Sequence, residues 1–279
     1  MIIDNAGTYT LRYTATDDCG KTTTVDRELV VQETLRIVPW STGTDEEIVK
    51  MVQAADRGEI NLSDYWQVGD ERVVRLSAME AMSPLTDAHE AQDVTLVLMN
   101  AGGKTLNTPT ESGRTSCSFI VGQKDSLNTS GRINSDNTNN GGWESCPRRT
   151  WCNSVYYNAI PSTLRPIFKQ VQNATANGGT NASATIQSVD YFALPAEREV
   201  HGQNYKSNST YESSGLLSQF NWYRTGANKI KKRNGTNSFW WLRSPCSTTI
   251  GDFCYITGEG QSGNGYTAYA YGISPFGAI

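Results

Sequence analysis

The chain has 279 residues, and its formal net charge of −4 comes with a charged fraction of only 19%. A weakly acidic chain lacks the basic surface that binds a phosphate backbone, so we expect no nucleic-acid partner. Its length allows one large hydrophobic core, and no apolar stretch approaches the roughly 20 residues that span a bilayer, so we expect no membrane insertion.

The first predicted element is a β-hairpin over residues 7–31. Apolar and polar residues alternate on both sides of the turn Asp17-Asp18-Cys19-Gly20, and strict alternation is the pattern of a strand with one covered face. A hairpin of this size is marginal on its own in water. We therefore expect residues 1–34 to be a fragment of a larger module or to dock on the main domain.

A helix and two strands follow. Thr44 and Glu47 have the spacing of a capping box, and a helix after them would place four apolar residues on one face: Ile48, Met51, Val52 and Ala55. The segments 72–76 and 95–99 are rich in Val and Leu, and we expect them to pair in one sheet.

Two segments are rich in Asn, Ser, Gly and Thr, and we predict loops for both. The first, residues 122–142, ends in a run of Asn and Gly that indicates an exposed loop, and the second covers residues 173–185. Together with the low charged fraction, this composition is typical of a loop-rich surface or virion protein and not of a helical cytosolic enzyme.

Apolar spacing predicts further elements between and after these loops. Apolar positions three and four residues apart indicate two helices, with stripes over residues 151–159 and 164–171 and with Pro147 and Pro166 in the first turns. Residues 189–194 are expected to form a strand, and the apolar residues between 216 and 223 indicate a short helix.

The C-terminal part carries the strongest functional signal. Residues 247–272 contain six Gly and four Tyr, with several hydroxyl residues and no Lys, Arg, Pro or Leu. Tyr offers a large amphipathic contact area, while Gly, Ser and Thr let the main chain adapt, as in the antigen-binding loops of antibodies. The alternative is a Tyr/Gly-rich β-meander at a sheet edge. The flanking segments 239–245 and 272–276 are rigid, and a binding surface needs such a frame.

Landmarks from residue 64 onward resemble one known family. In order they are DYWQVGDERVVRL, GGWESCPRRTWCNSVYYNAIPSTLRPIFKQV, VDYFALPAEREVHG, FWWLRSP and YGISPFGAI. Together they resemble the C-type-lectin-fold variable proteins of diversity-generating retroelements, especially those of gut bacteria and their phages. The N-terminal text AGTYTLRYTATDDCGKTTTVDRELVV resembles the last two strands of bacterial immunoglobulin-like repeats.

The resemblance implies a fold and a domain division. The fold class would be α+β, with a mixed, irregular and loop-rich C-type-lectin-like domain over residues 35–279 and a partial immunoglobulin-like β-hairpin over residues 1–34. The hypervariable segment would be residues 246–272. For Arg243 we expect hydrogen bonds to carbonyl groups of the variable loops. The frame would be formed by six scaffold residues: Trp240, Trp241, Leu242, Arg243, Pro245 and Pro275.

The resemblance also implies how side chains in this segment would differ between copies. In such systems a reverse transcriptase miscopies adenines, so that AAY codons for Asn become codons for residues such as Tyr, Ser, Thr, Gly or Asp. Lys, Glu, Gln, Met and Trp cannot be reached, so Glu259 and Gln261 would be fixed. The predicted variable, ligand-facing residues are Thr248, Thr249, Ile250, Asp252, Tyr255, Thr257, Asn264, Tyr266, Thr267, Tyr269 and Tyr271.

The implied function is reversible binding of an unknown surface ligand, a protein or a glycan, on a host or neighbouring cell. The carrier would be a phage virion or a bacterial cell surface, or the protein would be secreted, and no cofactor is implied. The sequence has no Glu-Pro-Asn, Gln-Pro-Asp or Trp-Asn-Asp triplet, so we do not expect calcium-mediated sugar binding.

Two alternatives stay open. One is a structural phage or cell-surface module without ligand binding, in which a neighbouring subunit covers the Tyr/Gly segment. The other is an oxidase related to formylglycine-generating enzymes, which would need Cys246 and Cys254 as a reactive pair. Neither cysteine has a His or Lys nearby in sequence, so we do not expect an enzyme. The six Cys form no CxxC pair and the two His lie far apart, so we predict no metal site and favour free thiols.

Overall fold

A computed structural model describes residues 7–31 and 34–279 of the chain. The chain divides into two compact units, residues 1–36 and residues 37–279. The first unit contains strands β1 (Gly7–Thr16) and β2 (Thr22–Val31), which pair antiparallel. The predicted hairpin is confirmed, and the Asp17 amide closes its turn by donating to the Lys21 carbonyl at 2.8 Å.

The second unit mixes short helices with short strands. Its helices are α1 (Asp45–Asp56), α2 (Pro147–Trp151), α3 (Tyr157–Ala159) and α4 (Glu197–His201). Its strands are β3 (Glu71–Leu76), β4 (Gln92–Ala101), β5 (Phe119–Gln123), β6 (Val171–Ala176), β7 (Thr185–Asp190), β8 (Phe192–Ala193), β9 (Lys231–Arg233), β10 (Thr236–Ser238), β11 (Trp240–Pro245), β12 (Asp252–Ile256), β13 (Ser262–Tyr266) and β14 (Phe276–Ala278). Single 3-10 turns cover Leu62–Asp64, Arg165–Ile167, Asn221–Arg224 and Gly226–Lys229. The predicted mixed, loop-rich α+β class is confirmed.

These strands form several small sheets. The largest has the order β3-β4-β5-β14-β8, so β14 lies between two strands that precede it in the chain. A second sheet has the order β11-β12-β13, while β6 pairs with β7 and β9 with β10. The predicted pairing of the segments 72–76 and 95–99 is confirmed by the antiparallel pair β3 and β4. Because β14 is internal to its sheet, Ile279 after it is fully buried.

Helix α1 begins as the sequence predicts. The Glu47 amide donates to Thr44 Oγ1 at 3.3 Å, and the Thr44 amide donates to Glu47 Oε2 at 2.9 Å, so the capping box is confirmed. The predicted apolar face of the helix is buried, with Ile48 and Met51 fully inaccessible.

The first of the two predicted middle helices is present and begins at Pro147, as predicted. Helix α2 continues through a π-helical turn, Cys152–Tyr156, into α3. The second predicted helix, over residues 164–171, is wrong, because only one 3-10 turn forms there. The Lys169 amide donates to the Ala278 carbonyl at 2.8 Å, and this pairing with the C-terminal strand holds the chain extended.

The polar loop predicted over residues 173–185 is confirmed only for residues 177–184, because its two ends lie in the antiparallel strands β6 and β7. Their polar side chains find partners inside the protein. Asn173 Nδ2 and Ser188 Oγ both donate to the buried Asp190 carboxylate, at 3.1 and 2.6 Å. These hydrogen bonds allow polar residues to occupy a buried strand pair, although Asn173 Oδ1 and Thr175 Oγ1 have no partner among the described residues.

Two further predictions hold only in part. The strand predicted over residues 189–194 is split at Tyr191, whose amide donates to Asn153 Oδ1 at 2.6 Å, so that β7 and β8 lie in different sheets. The short helix predicted between 216 and 223 is a single 3-10 turn, Asn221–Arg224.

Aromatic residues dominate the core of the second unit. Six of the seven tryptophans are buried: Trp40, Trp66, Trp143, Trp151, Trp240 and Trp241. Two of them belong to β11, which therefore anchors the C-terminal sheet in the core. In the part of the chain that the structure describes, no helix is both long and apolar enough to cross a membrane.

Candidate functional site

The Tyr/Gly segment lies on the sheet β11-β12-β13. Every residue of β11 is buried, and in the register of the sheet Trp241 stands opposite Tyr255, which stands opposite Gly263. The Trp241 indole Nε1 donates to the Gly131 carbonyl at 3.0 Å. Among the predicted scaffold residues, Trp240, Trp241, Leu242 and Arg243 are fully inaccessible, and Pro245 and Pro275 are also buried.

Five aromatic side chains form one continuous patch on this sheet. We call it the aromatic surface, and it consists of Phe239, Tyr255, Tyr266, Tyr269 and Tyr271. The ring of Tyr271 is central, with its centroid 4.9 Å from that of Tyr255, 5.4 Å from Phe239 and 5.9 Å from Tyr269. Tyr269 in turn meets Tyr266 at 5.7 Å. Such edge and offset contacts are the favoured geometry of aromatic pairs.

The aromatic surface runs from the core to the solvent. The Tyr271 ring lies 4.6 Å from the buried Trp241 ring, whereas Tyr266 and Tyr269 are 52% and 49% exposed. Partial burial, together with the neighbouring phenols of Tyr255 and Tyr269, raises the pKa of Tyr271 to about 12. The inner rings are therefore packed, and the outer rings present free faces and hydroxyl groups.

Glycines in β13 make room for the rings. A Cβ atom on Gly263 would lie 2.5 Å from the Tyr255 ring, and one on Gly265 would lie 3.1 Å from the same ring. The Tyr255 ring thus lies across two positions of the neighbouring strand that carry no side chain. A larger residue at Gly263 would lift Tyr255 away from the sheet.

The polar segment after β5 supports the variable segment. We call residues 124–142 the support loop; its irregular structure is as predicted, but the predicted exposure holds only in part, because residues such as Leu127 and Asn139 are buried. Gly131 and Tyr271 exchange two main-chain hydrogen bonds of 2.8 and 3.1 Å. Leu127 and Ile133 are fully buried beneath this contact.

Asn139 holds a second part of the variable segment. Its side-chain Nδ2 lies within hydrogen-bonding distance of three main-chain oxygens, those of Cys246 at 3.3 Å, Thr249 at 2.8 Å and Asp252 at 2.7 Å. Its Oδ1 accepts from the Gly179 amide at 3.0 Å. Asn139 is fully buried, so one side chain outside the variable segment fixes the path of the turn between β11 and β12.

The eleven predicted variable residues fall into three groups. Seven are exposed or partly exposed, and two of these seven form the outer end of the aromatic surface. The seven are Thr248, Thr249, Ile250, Thr257, Asn264, Tyr266 and Tyr269. Tyr255 and Tyr271 are half-buried within the aromatic surface. Thr267 and Asp252 are buried.

The prediction of a ligand-facing side chain is wrong for Thr267 and Asp252. Thr267 is fully inaccessible, and its Oγ1 donates to the Asp136 carbonyl of the support loop at 2.6 Å. Asp252 is 7% exposed, and its carboxylate accepts from Asn264 Nδ2 at 2.5 Å. Phe239 was not predicted as a ligand-facing residue, although it is 39% exposed and stacks on Tyr255 at 5.3 Å. Its place directly before the Trp pair was the available signal.

Comparison with known proteins gives one match. Residues 119–278 match the family described as a domain of unknown function, DUF6273. The chain belongs to the DUF6273 family. The DUF6273 region begins with β5 and ends with β14, so it contains the support loop and the aromatic surface. No curated protein and no solved structure matches the chain.

A buried ion cluster lies behind β11 and joins Lys104, outside the DUF6273 region, to Glu199 and Arg243 within it. The Arg243 guanidinium contacts both carboxylate oxygens of Glu199, at 2.5 and 2.8 Å, and Lys104 donates to the same carboxylate. Burial opposes the charged form of Glu199, but Arg243 and Lys104 outweigh it and lower its pKa to about 2. Arg243 also donates to the carbonyls of Leu194 and Ala174, and not to variable loops as expected. It therefore ties β11 to α4 and β6.

The two cysteines of the DUF6273 sheet are packed inside the protein. Cys246 and Cys254 are both fully inaccessible, and neither forms a disulfide. Burial raises the pKa of the Cys254 thiol well above its usual value. Cys246 Sγ shares a hydrogen bond of 3.3 Å with Thr248 Oγ1. A nucleophilic thiolate needs access and a lowered pKa, and Cys254 has neither. In residues 7–31 and 34–279, no group of His, Cys, Asp or Glu is arranged to hold a metal ion.

Proposed function

We propose that this DUF6273 protein is a non-catalytic ligand-binding protein and that the aromatic surface contacts its ligand. One observation carries the proposal: the exposed rings of Tyr266 and Tyr269 are continuous, through Tyr271, with the buried ring of Trp241. Exposed Tyr side chains on a rigid base give large contact area at a low entropic cost, which is how binding loops obtain affinity. Isolated exposed rings would not make such a patch.

We further propose that the chain is a C-type-lectin-fold variable protein of a diversity-generating retroelement. Around the aromatic surface, the residues that support the main chain are different from those that expose side chains, and this separation supports the proposal. Asn139 and Gly131 hold the main chain of the variable segment, and both lie outside it. The side chains of Thr249, Ile250 and Tyr269 are exposed, so they can be exchanged without disturbing the core. Diversification would therefore change the ligand and preserve the fold.

The proposed ligand is a protein or glycan on the surface of a host or neighbouring cell. The carrier would be a phage virion or a bacterial surface, with the hairpin β1-β2 belonging to an immunoglobulin-like module. Binding would need no cofactor. These statements follow from the resemblance of the landmark motifs, and the exposed aromatic rings agree with them.

The two alternatives differ in their support. An oxidase would need a reactive cysteine pair, and the burial of Cys246 and Cys254 speaks against that role. A structural module would use the same rings as a subunit interface, and it predicts a stable oligomer that loses its contact when Tyr266 and Tyr269 are truncated. Sedimentation of the purified chain separates this alternative from ligand binding.

The test is a cell-binding measurement with matched variants. The fluorescently labelled protein is incubated with a panel of bacterial strains, and bound protein is counted by flow cytometry. We expect the double variant Tyr266→Ala, Tyr269→Ala to lose at least about tenfold in binding, because exposed aromatic anchors dominate binding energy. The control is Tyr65→Ala, which removes a ring that is 45% exposed at another site. Equal binding by all three proteins would contradict the proposal.

A further inference from the structure

A second concave site lies apart from the aromatic surface. It is a cleft of about 530 Å³, and its lining residues are His201, Tyr205, Lys206, Gly260, Gln261 and Ser262. One wall consists of the last residue of α4 and two residues that follow it, and the other of two residues of the turn between β12 and β13 and the first residue of β13. The cleft therefore separates the fixed scaffold from the end of the variable sheet. It shares no lining residue with the aromatic surface.

The hydrogen-bond acceptors around this cleft are already in use. Glu197 is fully buried, and its carboxylate accepts from the amides of Tyr205, Lys206 and Ser207 at 2.9, 3.0 and 2.8 Å. It also accepts the hydroxyl groups of Ser207, at 2.7 Å, and of Ser262. With five donors bound to it, this carboxylate fixes the wall of the cleft and has little capacity left for a ligand.

Three other side chains of the cleft, in contrast, have polar groups without a hydrogen-bond partner among the described residues. Lys206 is exposed, and its ammonium makes no ion pair within residues 34–279. His201 Nε2 is buried and has no hydrogen-bond partner among the described residues. Burial, with a smaller effect of Lys229, lowers the pKa of His201 to about 4, so its ring is neutral at pH 7. Gln261 adds an exposed side-chain amide.

One wall of the cleft is aromatic. The Tyr205 ring is 57% exposed, and it meets the His201 ring edge-on with centroids 5.3 Å apart. Gln203 Nε2 donates to the Tyr205 hydroxyl, which orients the ring. An exposed, oriented ring beside free donors offers a flat face to the body of a ligand.

We propose that this cleft binds a small organic acid, with a carboxylate carried on a six-membered ring. The carboxylate pairs with the Lys206 ammonium and the Gln261 amide, and the ring of the ligand lies against Tyr205. A charged donor with no partner favours an anionic acceptor, and a hydrogen bond between two charged groups is stronger than one between neutral groups. Free aromatic acids and acidic sugar units of a glycan both have this chemistry.

The test is a titration of the whole chain, followed by isothermal calorimetry, with benzoate, glucuronate and, as a neutral control, glucose. We expect a Kd of about 1 mM or lower for at least one of the two acids and no binding of glucose. Preference for benzoate would identify an aromatic acid as the natural ligand class, and preference for glucuronate an acidic sugar. Either result supports the site.

Two matched lysine variants decide which residue binds the acid. Lys206→Met removes the cationic donor and should weaken binding by at least about tenfold, whereas Lys232→Met removes an exposed lysine outside the cleft and should leave binding unchanged. Both substitutions are on the surface, so both proteins should fold. A Kd above about 10 mM for both acids, or equal binding by Lys206→Met, would overturn the proposal. The aromatic surface would be unaffected by that outcome.

Discussion

Asn139 donates to the main-chain oxygen of Asp252 at 2.7 Å, across 113 positions of the chain. This contact joins the support loop to the first residue of β12. Because the same amide group also reaches Cys246 and Thr249, the turn of the variable segment depends on a side chain that is not variable itself.

Replacing Asn139 should therefore destabilise the protein. Asn139→Ala leaves several buried carbonyl groups without a donor, and we expect the free energy of unfolding to fall by about 3 kcal/mol. Asn140→Ala is the matched control, because the neighbouring Asn140 is exposed, and its change should stay within about 0.5 kcal/mol. Urea unfolding curves measure both values. Equal stability of the two variants would show that the support loop does not hold the segment.

The aromatic surface should separate into an outer part that tolerates change and an inner part that does not. Tyr269→Ala removes a half-exposed ring and should cost less than about 1 kcal/mol. Trp241→Ala removes a fully buried ring and a hydrogen bond to Gly131, and it should cost about 3–5 kcal/mol or prevent folding. Thermal unfolding followed by circular dichroism distinguishes the two. A large loss for Tyr269→Ala would place that ring in the core.

Gly263 and Tyr255 should be coupled. Gly263→Ala places a methyl group 2.5 Å from the Tyr255 ring, and the displaced ring should cost about 1–3 kcal/mol of stability. The same change in a Tyr255→Ala background should cost clearly less, because the colliding ring is gone. Gly215→Ala is the control, since its nearest neighbouring atom lies at 3.8 Å. If the cost of Gly263→Ala were the same in both backgrounds, the ring would not lie over the glycine.

Stability should depend on pH through Glu212. Burial raises the pKa of this carboxyl group to about 7, although Ser244 Oγ and the Ala176 amide donate to it. Between pH 4.5 and 7 the unfolded chain loses this proton while the folded protein keeps it. At Glu212 the folded state binds more protons there, so this group alone lowers stability by roughly 3 kcal/mol as pH rises. The lowered pKa of His201 acts in the opposite direction between about pH 4 and 6.5, so the effect of Glu212 is measured against a matched variant.

Glu212→Gln isolates this effect. The amide keeps the size of the side chain and cannot lose a proton, so the stability of the variant relative to the parent protein should rise between pH 4.5 and 7. The effect of Glu199 falls in a different window, since its lowered pKa costs stability only as pH falls from 4.5 towards 2. Identical pH profiles for the variant and the parent protein would contradict the assignment.

Sequence patterns predicted those elements that are stabilised by residues close together in the chain. The capping box of Thr44 and the alternation of residues 7–31 depend on neighbouring residues, and both are found. The loop predicted from the polar residues 173–185 extends too far, because Asn173 lies in β6 and donates to the buried Asp190 carboxylate. A partner that far along the chain leaves no local signal.

The candidate site was predictable to a similar extent. The four tyrosines stood out by composition, and their rings form most of the aromatic surface. The burial of Thr267 was not predictable, because it depends on the Asp136 carbonyl of a support loop that looked exposed. Asn139 was missed for the same reason, since an Asn in an Asn-rich run carries no sign that its amide is buried.

Sequencing many natural copies of the locus is the decisive measurement for the proposed diversification. Differences between copies should fall within residues 246–272, at exposed positions such as Thr249, Ile250, Tyr266 and Tyr269. The buried Phe253 and Thr267, like Asn139 in the support loop, should stay the same. Differences spread evenly over the second unit, or copies that vary at the buried positions as often as at the exposed ones, would contradict the proposal.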